Sequence, residues 1–364
     1  RITGDTAAAY ESNARGEDVL RAAGISDGPA WGCLRHQQAS LYWHEGKHQE
    51  ALQASLQALD LFTACLAQSA LNPMSQSSST PATRQTRAMR TLQGDPVDLG
   101  RVHAFLGIAY TAIGQLSEAL KHLHEAMAIY QQYERRREAA HAGCNIGHIH
   151  LLKAEYSQAR AFFQQPMSYI EQSGDTPLRS VVLNNLGELA AAAGRFDEAE
   201  RLYRESLALA AQMQDREYLS TWNASLGMLL IEQGRFKEAA EVILRALAIG
   251  RATPPNQPCI GFALVVLAYL RCALVDSEHA TSNARGRRAL QHARADLERA
   301  LSLGDLDAEK HTLAQLTQAR VSRLLGELPL ARAQCQQASD AARQYELRAI
   351  QTRCQQLLDM LADT

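Results

Sequence analysis

The sequence lacks an excess of charge of either sign. Its 364 residues include 37 basic and 39 acidic side chains, which leaves a formal net charge of −2. A near-neutral chain has no broad electrostatic attraction to nucleic acid or to anionic membranes. We therefore expect neither of these as a direct partner.

Aromatic residues and long apolar runs are also scarce. Aromatics make up 6% of the chain, whereas alanine is roughly one residue in six, a bias typical of closely packed helices. The most apolar run, Phe262 to Val275, has about fourteen residues and contains Arg271. It is too short to span a bilayer, so it predicts a buried helix.

Paired cysteines are missing as well. The seven cysteines form an odd, scattered set without a Cys-x-x-Cys pair. This pattern excludes a disulfide framework and is typical of the reducing cytoplasm. The chain opens at Arg1, in polar, alanine-rich sequence without an initiator methionine. We expect it to be a piece of a longer polypeptide.

Enzyme signatures are absent from the sequence. There is no Gly-x-Ser-x-Gly elbow, no His-Glu-x-x-His motif and no phosphate-binding loop. We therefore expect a non-catalytic protein without a cofactor.

What the sequence does contain is a repeat of 40 residues. The register is marked by three sets of small residues: Gly107, Gly147, Gly187 and Gly227; Ala119, Ala159, Ala199 and Ala239; and Gly114, Ala154, Gly194 and Gly234. Each copy predicts a helix, a short turn and a second helix. The first glycine would let the second helix approach closely, toward Leu123, Phe163, Tyr203 or Ile243. The turn glycine suits a left-handed helix end, and Ser117, Ser157 and Asp197 are predicted caps of the second helices.

This pattern resembles the tetratricopeptide repeat (TPR). The copy with Leu106, Gly107, Tyr110, Gly114 and Ala119 matches throughout, and weaker copies flank the four clear ones. The resemblance implies an all-α, right-handed TPR superhelix (α-solenoid) of about seven helical hairpins, one solenoid over residues 1–364. The long period and the Asn184-Asn185 pair are similar to the TPR regions of maltose-regulator-type bacterial activators and signalling ATPases.

Two insertions and one proline interrupt the pattern. Residues 69–100 are rich in Ser, Thr, Pro and Gly, and predict a loop that is either a tolerated insertion or a docking arm. Residues 275–286 predict a second loop, inside the sixth repeat. Pro166 falls well inside a predicted helix and should kink it.

Candidate binding residues follow from the resemblance, because the first helices of TPR solenoids line the concave face. The positions six and three before the repeat glycine and one after it, with their equivalents in the outer repeats, nominate Arg101, His141, Cys144, His148, Asn184, Glu188, Thr221, Met228, Tyr269 and Arg320. In similar families an inward asparagine holds a peptide backbone, a role open here to Asn184, Asn145 or Asn185. His141 and His148 lie two turns apart, too far to share one metal ion, so no metal site is expected.

These observations leave two main hypotheses. The first is a sensor or regulatory domain of a bacterial signalling ATPase or transcription regulator, whose groove binds a protein segment, a peptide or a small signalling ligand. The second is a passive scaffold that mediates oligomerisation or docks the adjacent domains of the parent polypeptide. A TPR groove is specified by a few side chains on a common frame, so the sequence does not identify the ligand.

Overall fold

The computed structural model describes residues 6–71, 95–279, 281, 283–304 and 306–362. Every regular element within these ranges is an α-helix. The chain divides into two compact units, residues 1–142 and 143–364. The predicted all-α class is confirmed.

The first unit is built from helices that pair along the chain. Its elements are α1 (Thr6–Ala22), α2 (Pro29–His44), α3 (His48–Leu71), α4 (Pro96–Ala112), α5 (Leu116–Gln132) and the beginning of α6 (Arg136–Leu152). Helix α2 packs on α3 and α4 packs on α5, while α1 lies against α2. Each pair is a hairpin of the predicted kind.

The second unit continues the same arrangement. It contains the rest of α6, then α7 (Tyr156–Gln164), α8 (Met167–Ser173), α9 (Thr176–Ala192), α10 (Phe196–Gln212), α11 (Arg216–Glu232), α12 (Phe236–Arg251), α13 (Gln257–Ser277), α14 (Ala284–Ser302), α15 (Ala308–Leu324), α16 (Leu328–Gln344) and α17 (Arg348–Ala362). Consecutive helices from α9 to α16 form four hairpins, and α17 packs on α16. One continuous apolar core runs through these hairpins.

The repeat glycines lie where paired helices touch. A Cβ on Gly147 would fall 2.6 Å from the Phe163 ring, and one on Gly227 would fall 2.6 Å from Ile243 Cγ1. Real Cβ atoms do not approach other atoms so closely, so any larger residue would push the two helices apart. The predicted reason for these glycines is confirmed.

The turns confirm one sequence prediction and correct another. Gly194 has a φ of 73°, and Ala154 occupies the same turn position with a φ of 57°, as expected for left-handed helix ends. The predicted caps Ser117, Ser157 and Asp197 are wrong, because each second helix begins one residue earlier and its first residue directly follows the closed turn. Side-chain caps occur instead on first helices, where Asp175 accepts from Leu178 N at 3.1 Å.

The interruptions are located as follows. The predicted kink at Pro166 is confirmed, since α7 ends at Gln164 and α8 begins at Met167. Of the predicted insertion 69–100, residues 72–94 lie outside the described residues, and the chain is helical up to Leu71 and again from Pro96. Around the predicted insertion 275–286, α13 extends to Ser277 and α14 begins at Ala284.

Helix α13 contains the most apolar run of the sequence. At 21 residues the helix is longer than that run, and by length and composition alone it could cross a membrane. In the structure two thirds of its most apolar window is buried inside the protein. Residues such as Val265, Val266 and Ala268 are 1% exposed or less and belong to the core, which confirms a buried helix.

Candidate functional site

The predicted site residues do not form one continuous surface. Arg101 lies in the first unit, on α4, where it is ion-paired with Asp98. His141 is a half-buried residue of α6. In the second unit, Thr221 Oγ1 lies 3.6 Å from Cys259 Sγ, and Met228 packs against the apolar core. None of these four is adjacent to the two groups described below.

Cys144, which was predicted to be accessible, is buried. It is 1% exposed, and desolvation raises the pKa of its thiol to about 12. A thiol in this state stays protonated at neutral pH and is a poor ligand or nucleophile. Among the described side chains there is no group of three or more His, Cys, Asp and Glu residues placed to hold a metal ion.

Three of the predicted residues do meet. Asn184 and Glu188 lie one turn apart on α9, and Asn184 Nδ2 donates to Glu188 Oε1 at 3.0 Å. The other carboxylate oxygen, Glu188 Oε2, lies 3.8 Å from Nδ1 of His148 on α6. Asn184 is 5% exposed, and its Oδ1 is buried without a hydrogen-bond partner among the described residues. The asparagine therefore presents an unused acceptor beside a carboxylate.

The beginning of α15 lies within electrostatic range of Glu188. It contributes Asp307, Glu309 and Lys310, and the Asp307 carboxylate is ion-paired with Lys310. We call these three residues, together with His148, Asn184 and Glu188, the Glu188 cluster. Three carboxylates thus share one lysine and one imidazole. The cluster joins helices that two intervening hairpins separate in sequence.

Burial sets the protonation behaviour of this cluster. Desolvation, reinforced by the charge of Asp307, raises the pKa of Glu309 to about 7. The pKa of Glu188 is also raised, again mainly by desolvation and against the opposing effect of His148. Desolvation would lower the pKa of Lys310, but the carboxylates of Asp307 and Glu309 outweigh it and raise that pKa. The cluster therefore favours an ammonium or other cationic donor over an anion.

Tyr269 and Arg320 form a second group, between α13 and α15. The guanidinium of Arg320 lies 4.8 Å from the centroid of the Tyr269 ring, an attractive cation–π geometry. The Tyr269 hydroxyl donates to Glu232 Oε1 at 2.7 Å. Arg353 on α17 approaches the same carboxylate oxygen at 4.0 Å.

Sequence reasoning missed several of the residues in these groups. Glu232, Glu309 and Lys310 lie one or more turns beyond the three positions that were read from each repeat, on the same helices as predicted residues. Extending the reading along each helix by steps of three or four residues would have found them. Arg353 lies on α17, which follows the last hairpin, and no repeat signal marks it.

Comparisons with known proteins agree with the fold. Residues 105–133, 138–212 and 221–255 each match a family model described as Tetratricopeptide repeat. No protein of curated function matches the sequence significantly.

Three solved structures show the same architecture. A Rap protein complexed with competence and sporulation factor has 12% sequence identity and a TM-score of 0.57, covering 95% of this chain and 80% of that one. Aspartyl phosphate phosphatase F from Bacillus subtilis also has 12% identity and a TM-score of 0.57, with coverages of 89% and 74%. NprR in complex with its cognate peptide NprX has 13% identity and a TM-score of 0.54, with coverages of 81% and 82%.

Similarity at this level of identity establishes the fold alone. These relatives are Rap and NprR proteins, so they lend no support to the more specific resemblance to maltose-regulator-type activators. The repeat register, the paired helices and the family matches agree with one another. The chain is a tetratricopeptide repeat protein.

Proposed function

We propose that the second unit is a non-catalytic regulatory module that binds a short peptide or a protein segment at the Glu188 cluster. The observation that carries this proposal is the buried amide of Asn184, whose Oδ1 has no partner in the described part of the chain. Buried polar atoms are nearly always hydrogen-bonded in folded proteins. An incoming backbone N–H would supply the missing donor, and the amide can offer both a donor and an acceptor to a peptide group.

The fold of the relatives supports a peptide as the ligand. Two proteins with the same architecture have been solved with a bound factor or peptide, the Rap protein with competence and sporulation factor and NprR with NprX. In a regulator, such a ligand acts by binding one global state better than another. We infer that this chain works in the same way, inside a bacterial signalling protein whose adjacent domains receive the signal. Seven free thiols agree with a reducing cytoplasm.

Peptide retention tests the proposal directly. The immobilised protein is exposed to a positional-scanning pool of synthetic hexapeptides with free termini, and the retained peptides are identified by mass spectrometry. We expect a defined subset to be retained, with at least tenfold weaker binding to Asn184→Ala and to Glu188→Gln. The matched control is Glu241→Ala, which removes an exposed carboxylate from α12 of the same unit.

The outcomes separate the two hypotheses for this chain. Retention of the same peptides by wild type, Asn184→Ala and Glu188→Gln would move the binding site elsewhere. If no peptide is retained and light scattering shows a stable dimer, the chain is a scaffold and the proposal is wrong. Circular dichroism of each variant checks that a loss of binding is not a loss of folding.

A further inference from the structure

A cleft of about 480 Å³ opens between α13, α15 and α17 of the second unit. Three arginines line it: Arg320 and Arg323 from α15, and Arg353 from α17. We call this group, with Tyr269, Leu357 and Met360, the arginine cleft. It lies beyond the Glu188 cluster, toward the C-terminal end of α15.

The positive charge of the arginine cleft is only partly compensated. Arg323 Nη2 lies 3.1 Å from Asp276 Oδ2, but its Nε is buried without a hydrogen-bond partner among the described residues. Arg353 reaches Glu232 only at 4.0 Å. No carboxylate of the described chain lies within 4 Å of Arg320, whose guanidinium stacks on Tyr269 instead. Two of the three guanidinium groups therefore keep donors available for an anion.

The rest of the lining is apolar. Leu357 is 4% exposed and closes one side, whereas Met360 is 55% exposed and offers its flexible thioether to the cleft. Met side chains adapt to ligands of irregular shape. An anion that fits this lining carries an aliphatic group next to its charge, which the C-terminal residue of a peptide does.

The two charged groups on α15 are spaced for a short peptide. Glu309 and Arg320 lie eleven residues apart on α15, about 16 Å at a rise of 1.5 Å per residue, and eleven residues bring them back to nearly the same face. An extended chain covers that distance in about five residues. The acidic end and the basic end are thus separated by the length of a short peptide.

We propose that the arginine cleft binds the C-terminal carboxylate of a peptide whose last side chain is aliphatic, and so fixes the direction in which the ligand lies between the cleft and the Glu188 cluster. This inference rests on the proposed function. The guanidinium groups of Arg320 and Arg353 pair with the carboxylate, and the last side chain packs on Leu357 and Met360. Guanidinium forks match a carboxylate through two parallel hydrogen bonds.

The cleft can be tested without knowing the natural ligand. The protein is labelled with ¹³C at its methionine methyl groups and titrated with N-acetyl-leucine and, separately, with N-acetyl-leucinamide. We expect the Met360 signal to shift and saturate with the acid, and to shift at least fivefold less at equal concentration with the amide. Arg353→Gln and Arg320→Gln should each weaken binding of the acid at least fivefold. Arg348→Gln, which changes an exposed arginine of α17, should leave it unchanged.

A second arm compares hexapeptide pools with free and with amidated C-termini. Preferential retention of the free acids, with Leu, Ile, Val or Met enriched at the last position, supports the proposal. Equal retention of both pools overturns it but leaves the peptide-binding function standing, whereas retention of neither pool rejects both. Competition by inorganic phosphate as effective as that by N-acetyl-leucine would also overturn it, because the cleft would then be a general anion site.

Discussion

The ammonium of Lys153 lies 2.8 Å from Glu346 Oε2, although almost the whole second unit separates these residues in sequence. Lys153 is in the turn between α6 and α7, and Glu346 is in the turn before α17. The side chain of Lys153 is only 14% exposed, so this contact is better shielded from water than an ordinary surface pair. The first and last turns of the second unit therefore meet, which brings α9 and α15 to face each other across the Glu188 cluster.

A double-mutant cycle measures this contact. We expect Lys153→Ala and Glu346→Ala to show a coupling free energy of about 0.5–1 kcal/mol in urea unfolding, because the pair is partly buried. The pair Arg343 and Asp340, 3.6 Å apart and mostly exposed, is the matched control and should show almost no coupling. Equal coupling in the two cycles would contradict the structural importance of the Lys153–Glu346 contact.

The close approach at Gly227 predicts a large response to a single methyl group. A Cβ there would meet Ile243 Cγ1 at 2.6 Å, so Gly227→Ala should destabilise the protein by about 1–3 kcal/mol. At Gly143, also inside a helix, the nearest atom would be 3.9 Å away, and Gly143→Ala should stabilise by up to about 1 kcal/mol through helix propensity. Thermal unfolding of the two variants should therefore move in opposite directions. A shift in the same direction would show that packing at position 227 is not limiting.

The raised pKa of Glu309 predicts a pH dependence of stability. Its folded pKa is about 7 against an ordinary value of 4.5, so the folded state holds this proton more tightly. Stability should therefore fall as the pH rises from about 4.5 to about 7, and then level off. The charged groups facing Glu309 are Asp307, Lys310, Arg353 and Glu188.

The variant Glu309→Gln isolates this effect. Between pH 5 and pH 8 the wild-type protein should lose about 1 kcal/mol more unfolding free energy than Glu309→Gln, a figure discounted because the side chain still touches water. Urea titrations at the two pH values give the difference. If wild type and variant show the same pH slope, Glu309 titrates normally and the desolvation of the cluster has been overstated.

Arg216 predicts a stabilising role outside both charged groups. It begins α11, and its guanidinium donates to the carbonyls of Ile249, Ala252, Thr253 and Pro254 at 2.5–3.2 Å. These carbonyls lie at or just beyond the end of α12, where helix carbonyls lack backbone partners. Arg216→Ala should therefore cost about 1 kcal/mol.

Two further variants of this region act as controls. Arg216→Lys should recover only part of the loss, because one ammonium cannot reach four carbonyls arranged around a planar fork. Arg251→Ala, at the exposed end of α12, should change stability by less than about 0.5 kcal/mol. Unfolding free energies for the three variants give the comparison, and full recovery by lysine would show that charge alone matters.

Part of the candidate site was predictable from the repeat register. Counting from each repeat glycine found His148, Asn184 and Glu188, which do meet, and Tyr269 with Arg320, which also meet. The same count also nominated Cys144, which is buried. It missed Asp307 and Arg353, because their roles depend on helices that approach each other only after several hairpins have packed.

The second-helix caps show a similar limit. Ser117, Ser157 and Asp197 are residue types that favour caps, yet each helix starts one residue earlier. Backbone hydrogen bonds close the turn first: Gly194 N donates to Ala191 O at 3.0 Å and Arg195 N donates to Ala190 O at 2.9 Å. The turn glycine, and not the polar residue after it, sets where the next helix begins.

The sequence by itself determined the helices, their pairing, the left-handed turns and the break at Pro166, because each of these follows from interactions between residues close together in the chain. Only the tertiary structure decided which charges share an environment. Small differences in packing add up over successive hairpins, so the approach of α15 to α9 and of Glu346 to Lys153 is a property of the whole second unit. Desolvation arises from that approach, which is why the raised pKa of Glu309 has no signal in its local sequence.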